Sequence, residues 1–254
     1  MINSQQLKAC LKLLDQPGID VKYVWREVYR HDLFMFAKHV MGYKDLTIKT
    51  HGPIVRALEA DTKRKLICVP RGTFKSSIAD IAFAVHKLVY NPNLRILIDS
   101  EVYGNSKNFL REIKGHMKSE SFLDLYGDFE GPTWTESEII VSKRTKNLKE
   151  PSIAVSGIGA EKTSQHYDII ISDDLSSTQS VATPEQAKKV INHYKLYTSL
   201  LEPNGILVII GTRYAALDII GFVLENEIGF KTTKELFEKF PQGIGEIDVS
   251  RQPV

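Results

Sequence analysis

Between an apolar run and an amphipathic run, the chain reads Val69-Pro70-Arg71-Gly72-Thr73-Phe74-Lys75-Ser76-Ser77. Residues 65–69 are typical of a short buried strand, and residues 76–90 carry apolar side chains at helical spacing. A loop between a strand and a helix binds phosphate well, because backbone N–H groups and the positive end of the helix dipole meet there. The segment therefore predicts a phosphate-binding loop. Its binding residues are expected to be Pro70, Arg71, Gly72, Thr73, Phe74, Lys75, Ser76 and Ser77.

Two side chains of this loop carry its chemistry. Lys75 would neutralise charge on the β- and γ-phosphates, and Ser76 would offer its hydroxyl to Mg²⁺. The pattern departs from the standard one because Phe74 stands where a glycine usually precedes the lysine, and the early glycine falls on Val69. A polar strand-to-helix turn with a serine N-cap is the alternative interpretation.

A second signal is the stretch Asp168-Ile169-Ile170-Ile171-Ser172-Asp173-Asp174, an apolar run that ends in two carboxylates. Adjacent carboxylates at the end of a buried strand are costly unless a cation lies beside them. We expect Asp173 to hold Mg²⁺, and Asp174 to orient and deprotonate the attacking water. A solvated turn at the strand end is the alternative.

The third signal is the run Ile206-Leu207-Val208-Ile209-Ile210-Gly211-Thr212-Arg213-Tyr214, again apolar and then polar. A strand next to the acidic one is placed to sense the γ-phosphate. Thr212 would donate a hydrogen bond to it, and Arg213 would relay the change to the parts that hold DNA. A strand-ending turn with a surface arginine is the alternative.

The order of apolar runs predicts the fold class. Strand and helix patterns alternate with short breaks, which is typical of an α/β fold with a mostly parallel sheet flanked by helices. We divide the chain into a helical N-terminal region (1–60, with a short helix from His51 to Leu58), a core (61–222) and a linker or lid (223–254).

Composition narrows the class of protein further. Hydrophobic residues make up 43% and charged residues 25%, and the net charge is +2, so any nucleic-acid contact must come from a local patch. No apolar stretch approaches the roughly 20 residues of a membrane span. Cys10 and Cys68 lie far apart and suggest no disulfide framework, which favours a reducing compartment.

The segments 70–76, 169–174 and 210–214 together resemble the large terminase subunit of tailed bacteriophages. That family carries a degenerate phosphate loop (Walker A) with an arginine, an acidic pair (Walker B) and a Gly-Thr-Arg-aromatic coupling motif. The run 34–46 and His51 are similar to the family's opening region, so the resemblance covers about residues 25–225.

The resemblance implies a P-loop NTPase of the additional-strand (ASCE) type, with the phosphate loop and the catalytic acid on neighbouring strands. It implies ATP with Mg²⁺, and translocation of double-stranded viral DNA into a procapsid in the host cytoplasm. The partners would be the portal protein, the small terminase subunit and further copies of the chain in a ring. The family's nuclease domain has no counterpart in this sequence.

The resemblance also assigns residues. It places Arg71 in the catalytic loop, and Phe34, Tyr43 or His51 on the adenine side. Core packing is the alternative for Phe34, and helix capping is the alternative for His51. Asp174 stands where the family commonly has glutamate, so either an extra water fills the gap or another acid acts. Glu101 is the second candidate for the general base, with a surface-loop glutamate as the alternative.

Two further basic sites remain open. The family uses an arginine from the neighbouring subunit, for which Arg144 is the upstream candidate, with a solvated side chain as the alternative. The basic stretch 143–149 is a candidate DNA contact, with a solvated hairpin as the alternative.

Two other functions remain possible on the sequence: a different P-loop DNA-dependent ATPase of the helicase or repair type, and a non-enzymatic nucleic-acid module, which Phe74 motivates.

Overall fold

The computed structural model describes residues 4–160, 164–214 and 218–226. Its α-helices are α1 (Ser4–Lys12), α2 (Val21–Arg30), α3 (Leu33–Met35), α4 (Ile48–Glu59), α5 (Phe83–Tyr90), α6 (Tyr103–Met117), α7 (Glu120–Tyr126), α8 (Pro184–Leu200) and α9 (Ile219–Asn226). A 3₁₀ turn (Leu13–Asp15) follows α1, and π-helical segments follow α3 (Phe36–Val40) and lead into α5 (Ser77–Ala82). The strands are β1 (Arg64–Cys68), β2 (Ile96–Ser100), β3 (Thr133–Trp134), β4 (Glu138–Ile140), β5 (Ile153–Gly157), β6 (Tyr167–Asp173) and β7 (Leu201–Gly211).

The strands of the described ranges form one seven-stranded sheet in the order β1-β7-β6-β2-β5-β4-β3. The first five strands of this order are mutually parallel, and β4 and β3 continue the edge antiparallel. The α/β fold with a mostly parallel sheet is confirmed.

One expectation about the sheet is wrong. The phosphate-loop strand and the acidic strand were expected to be neighbours, but β7 lies between them and pairs with both. Chain order does not fix strand order in a parallel sheet, because a crossover connection can return a later strand between two earlier ones. The last strand therefore brings residues 211–214 between the other two motifs.

Helices cover both faces of the sheet. Side chains along each strand alternate between the two faces, so Ile98 and Ile171 pack with the helices before β2 and with α6, whereas Leu97 and Ile170 pack against α8 and α9. Both faces are buried, which explains why the strands read as continuous apolar runs. This packing holds the carboxyl ends of the parallel strands along one edge.

Two element boundaries differ from the prediction in ways that matter for the site. Helix α4 begins at Ile48, three residues earlier than expected, and therefore contains Pro53. The earlier start is stabilised by Nδ1 of His51, which accepts the backbone N–H of Thr47 (2.9 Å) at the first turn. Strand β2 extends to Ser100, two residues beyond its last isoleucine, so Asp99 lies inside the sheet with no exposed surface.

None of the described helices combines the length and apolar character needed to cross a membrane.

Candidate active site

The predicted phosphate loop lies between the end of β1 and the π-helical segment that leads into α5. Gly72 and Phe74 both have positive φ, 78° and 54°. A bulky residue in this conformation is uncommon and costs free energy. The Phe74 ring packs edge-on against His51 (5.4 Å between centroids) and Tyr43 (6.5 Å), and these contacts offset the cost. Phe74 therefore takes the backbone conformation that a glycine would otherwise supply.

Lys75 and Ser76 are brought directly onto the acidic strand. The Lys75 ammonium is 7% exposed and lies 2.7 Å from Oδ1 of Asp173 and 2.6 Å from Oδ2 of Asp174. The Ser76 hydroxyl donates to Oδ2 of Asp173 at 2.5 Å. The structure thus brings together Lys75, Ser76, Asp173 and Asp174, four of the residues expected to act on phosphate, metal and water.

Burial and charge act in opposite directions on this cluster. Burial raises the pKa of the Asp173 carboxyl, and the contacts with Lys75 and Ser76 only partly offset the rise. For the Lys75 ammonium, burial lowers the pKa, but the charges of Asp173 and Asp174 outweigh it, so the pKa is raised. A further cation beside Asp173 would stabilise its ionised form.

The oxygens of Ser76 and Asp173 fit a magnesium ion. The described residues include no group of three or more His, Cys, Asp or Glu side chains able to hold a metal alone. Mg²⁺ is usually held by one or two protein oxygens together with substrate phosphates, so an all-protein cage is not required. Adjacent ligands of an octahedral Mg²⁺ at about 2.1 Å lie about 3.0 Å apart, so these two oxygens, now hydrogen-bonded at 2.5 Å, would separate by about 0.5 Å to hold one ion.

Asp174 is held by the end of β7. Its φ is 44°, its backbone N–H donates to Ile210 O (2.9 Å), and its Oδ1 accepts the backbone N–H of Thr212 (2.9 Å). A Cβ on Gly211 would come within 3.0 Å of the same Oδ1, so the missing side chain permits this approach. The coupling motif thus positions the carboxylate expected to activate water.

Thr212 joins the phosphate loop to the acidic pair. Its backbone N–H donates to Asp174, and its hydroxyl donates to Val69 O at 3.1 Å. Thr212 was expected to donate a hydrogen bond to the γ-phosphate, but here both of its donors are used within the chain. Its observed contacts make it a bridge between β1 and the residue that follows β6.

Arg71 pairs with the aromatic residue of the coupling motif. Its guanidinium donates to the Tyr214 hydroxyl from Nε (2.9 Å) and from Nη2, and lies 5.3 Å from the ring centroid. The Tyr214 backbone N–H in turn donates to Oδ2 of Asp218 (2.7 Å), just before α9. The backbone of Arg213 forms a hydrogen bond with the thiol of Cys68. Burial raises the pKa of this thiol, and the hydrogen bond partly offsets the rise.

The alternative residues lie elsewhere. Glu101 accepts the Ser177 hydroxyl (2.9 Å) and lines a separate cavity of about 290 Å³. Arg144 donates to the carbonyls of Glu150 (2.7 Å) and Leu94 (3.4 Å). Both carbonyls lie near the amino ends of the parallel strands, whereas the phosphate loop lies at their carboxyl ends. The candidate DNA contact 143–149 also lies near the amino ends.

The three candidates for the adenine side separate into two groups. Tyr43 and His51 contact Phe74 and so border the phosphate loop. Phe34 is 9% exposed and packs in the core, as helical spacing alone would predict.

Asp80 is a site residue that the sequence analysis missed. It is completely buried, four positions after Ser76 on the same helical face, and neither carboxylate oxygen has a hydrogen-bond partner among the described residues. Burial, and next the charge of Asp173, raise the pKa of Asp80 well above its usual range, which favours the neutral acid. An acidic residue inside the apolar run Ile78–Ala82 was the signal that could have revealed it.

A second missed cluster lies under the acidic strand. Oδ2 of Asp99 lies 2.6 Å from Nε2 of His193 and accepts the Tyr197 hydroxyl at 2.5 Å. The same hydroxyl lies 3.2 Å from Oγ of Ser172, the residue before Asp173. This cluster joins α8 to both β2 and β6. The sequence pattern did not reveal His193 and Tyr197, because they occupy positions of α8 where helical spacing predicts core side chains.

Comparisons with known proteins assign no family to the chain. No protein-family model matches the chain, and no curated protein matches it. Among solved structures, a likeness is found to a variant of Dbp5 from S. cerevisiae, in a structure with Nup159, a Gle1 variant, IP6 and ADP. The identity is 13% over 76% of this chain, with a TM-score of 0.46, and the match spans 48% of that protein. A likeness of this degree carries no information about what this chain binds.

Proposed function

We propose that this chain is an ATP-hydrolysing motor domain that drives double-stranded viral DNA into a procapsid. The observation that carries the proposal is the convergence of Lys75, Ser76, Asp173 and Asp174 at the carboxyl ends of β1 and β6. The resemblance of the three motifs to large terminase subunits supports the DNA-packaging role.

The residues divide the work on the nucleotide. Backbone N–H groups of the loop and the Lys75 ammonium bind the β- and γ-phosphates, so the phosphates compete with Asp173 and Asp174 for Lys75. Ser76 and Asp173 would hold Mg²⁺, which supplies charge neutralisation on the phosphate oxygens when bound. Asp174, released from Lys75, accepts the proton of the attacking water while Thr212 N–H keeps the carboxylate in place.

The same contacts provide a route for coupling. A change in the charge near Asp174 would alter its hydrogen bond with Thr212, which is also hydrogen-bonded to Val69. Two residues further, Tyr214 contacts Arg71 and donates to Asp218. Asp218 also accepts the Gly221 N–H at 2.7 Å and so caps α9. The phosphate loop and the first turn of α9 are therefore connected through Thr212, Tyr214 and Asp218.

The assembly partners follow from the resemblance alone. A ring of copies on a portal protein, with the small terminase subunit, would supply a transition-state arginine from the neighbouring subunit. An isolated domain is then expected to turn over slowly, since such an arginine contributes on the order of 10³–10⁵ in rate. Binding of MgATP does not depend on the ring and is the more direct test.

A P-loop ATPase of the helicase or repair type is the second candidate, because the Lys75–Asp173–Asp174 geometry serves any such enzyme. Co-purification of the chain with a portal protein or a small terminase subunit favours packaging. Stimulation by DNA with no affinity for either protein favours the second candidate.

The test of the proposal is binding of a fluorescent ATP analogue and release of phosphate, each with and without Mg²⁺. Lys75→Ala is expected to weaken binding at least tenfold and to abolish hydrolysis. The matched control is Lys49→Ala, an exposed lysine on α4, which should match the wild type. Equal binding by the wild type and Lys75→Ala, or binding indifferent to Mg²⁺, would overturn the proposal and favour a non-enzymatic module.

A further inference from the structure

Helix α8 presents lysines on its exposed face. Lys188, Lys189 and Lys195 are exposed, whereas Val190, His193 and Tyr197 face the sheet. The helix carries one acidic residue, Glu185, at its first turn. None of the three ammonium groups has an ion-pair partner within the described part of the chain. Lys188 and Lys195 lie within about 20° of each other around the helix, and Lys189 lies about 100° from Lys188, where it lines the cavity that contains Glu101. We call Lys188, Lys189 and Lys195 the α8 basic face.

Another basic helix makes the contrast clear. On α6, Lys107 pairs with Glu136 (2.6 Å), and Lys118, just beyond its end, pairs with Asp128 (3.1 Å) and Glu130 (2.5 Å). Carboxylates of the loops around β3 thus balance the charges of Lys107 and Lys118, although Arg111 and Lys114 of α6 have no ion-pair partner among the described residues. The α8 basic face lacks this compensation, so its positive potential extends into solvent.

The spacing of the α8 basic face suits a phosphate backbone. Lys188 and Lys195 are seven positions apart, which is about 10 Å along a helix. Phosphates of one DNA strand follow one another at roughly 3.4 Å along the duplex axis, so the face spans about three of them. Lys195 also lies 5.6 Å from the Phe222 ring centroid, which steadies its amine without neutralising it.

The opposite side of α8 is fixed next to the candidate active site. His193 and Tyr197 both contact Asp99 on β2, and Tyr197 lies beside Ser172, the neighbour of Asp173. A force applied to α8 is therefore applied to the strand that ends in the acidic pair. The exposed side of α8 is therefore well placed to sense the DNA that the proposed motor moves.

We propose that the α8 basic face contacts the backbone phosphates of the DNA on which the motor acts. This inference rests on the proposed function for its ligand, but its lysines lie outside the nucleotide site. Each lysine that neutralises one phosphate contributes about one unit to the slope of log affinity against log salt.

The experiment measures binding of a fluorescent 30-base-pair duplex over a series of salt concentrations. Replacing Lys188, Lys189 and Lys195 together by alanine is expected to reduce the slope by two to three and the affinity at low salt by at least tenfold. The matched control is Lys8→Ala with Lys12→Ala, two exposed lysines of α1, which should leave the slope unchanged. Hydrolysis of ATP without DNA should be equal in all three proteins.

Two results would overturn the inference. One is a triple variant with the wild-type slope. The other is a triple variant that keeps its DNA affinity but no longer binds poly-glutamate, which would assign the face to an acidic protein. Failure of the proposed function is seen separately, as absence of ATP hydrolysis in the wild type.

Discussion

The Ser76 hydroxyl lies 2.5 Å from Oδ2 of Asp173, although 97 residues separate them in the chain. The pairing register explains this approach. Cys68 of β1 pairs with Gly211 of β7, and Asp173 of β6 pairs with Ile210 of the same strand. The carboxyl ends of the three strands are thus level within one residue. β7 sets the distance between the phosphate loop and the acidic pair.

The close approach of Gly211 to Asp174 gives the first prediction. In Gly211→Ala, the new Cβ would lie 3.0 Å from Oδ1 of Asp174, so the oxygen that accepts the Thr212 N–H must shift by a few tenths of an ångström. We expect ATP hydrolysis to fall about tenfold, with a stability loss of about 1 kcal/mol or less. Steady-state phosphate release and urea unfolding measure the two effects.

Gly104→Ala is the control for this substitution. Gly104 lies in the first turn of α6, and a Cβ there would meet nothing within 4 Å. Alanine in a helix is favoured over glycine by about 0.5–1 kcal/mol, so this variant should be slightly more stable and equally active. Loss of activity in Gly104→Ala, or full activity in Gly211→Ala, would contradict the role given to the Asp174 position.

The general base can be identified by comparing two acids. Asp174 contacts Lys75 and Thr212, whereas Glu101 contacts Ser177 in a separate cavity. We expect Asp174→Asn to lower hydrolysis by about 10²–10⁴ while ATP binding persists, because asparagine cannot accept the proton of water. Glu101→Gln should leave hydrolysis within about twofold of the wild type. The reverse pattern would transfer the role to Glu101.

Much of the fold could be predicted from the sequence. Runs such as Ile169–Ser172 are apolar throughout and short, which is the pattern of a strand buried on both faces. The loop, the acidic pair and the coupling motif could be found because each follows such a run. Where parallel strands lie together, residues after their carboxyl ends share one edge of the sheet.

Other features of the site depend on tertiary contacts that a local pattern does not contain. Strand order was predicted wrongly because the crossover into β7 leaves no local signal. Asp80 and Asp99 escaped notice because the charged group that each carboxyl faces, Asp173 for Asp80 and His193 for Asp99, is far away in the chain. The bonding of Thr212 to Val69 depends on the register of β1 with β7.

A buried lysine provides a prediction about stability. Lys65 of β1 is 1% exposed, and its ammonium donates to Ala57 O (2.8 Å), Ala60 O (2.7 Å) and Thr62 Oγ1 (3.2 Å) at the end of α4. Lys65→Met keeps the length of the side chain but leaves these acceptors without a donor. We expect the free energy of unfolding to fall by about 2–4 kcal/mol in urea. The control is Lys63→Met, at an exposed lysine two residues earlier, which should change the free energy of unfolding by less than about 0.5 kcal/mol. Equal losses of stability in the two variants would refute a stabilising role for the Lys65 hydrogen bonds.

Burial of His86 predicts how stability depends on pH. Burial, with a smaller contribution from Lys87, lowers the pKa of His86 from 6.5 to about 4, so the unfolded chain binds its proton first as pH falls. The contribution of neutral His86 to the free energy of unfolding is complete above about pH 6.5. It is lost as the pH falls towards 4, by at most about 3 kcal/mol. His86→Gln keeps a donor for Tyr29 O and does not titrate, so its free energy of unfolding should fall less between pH 6.5 and 4.5. Parallel curves for the two proteins in urea titrations would show that His86 is not the group responsible.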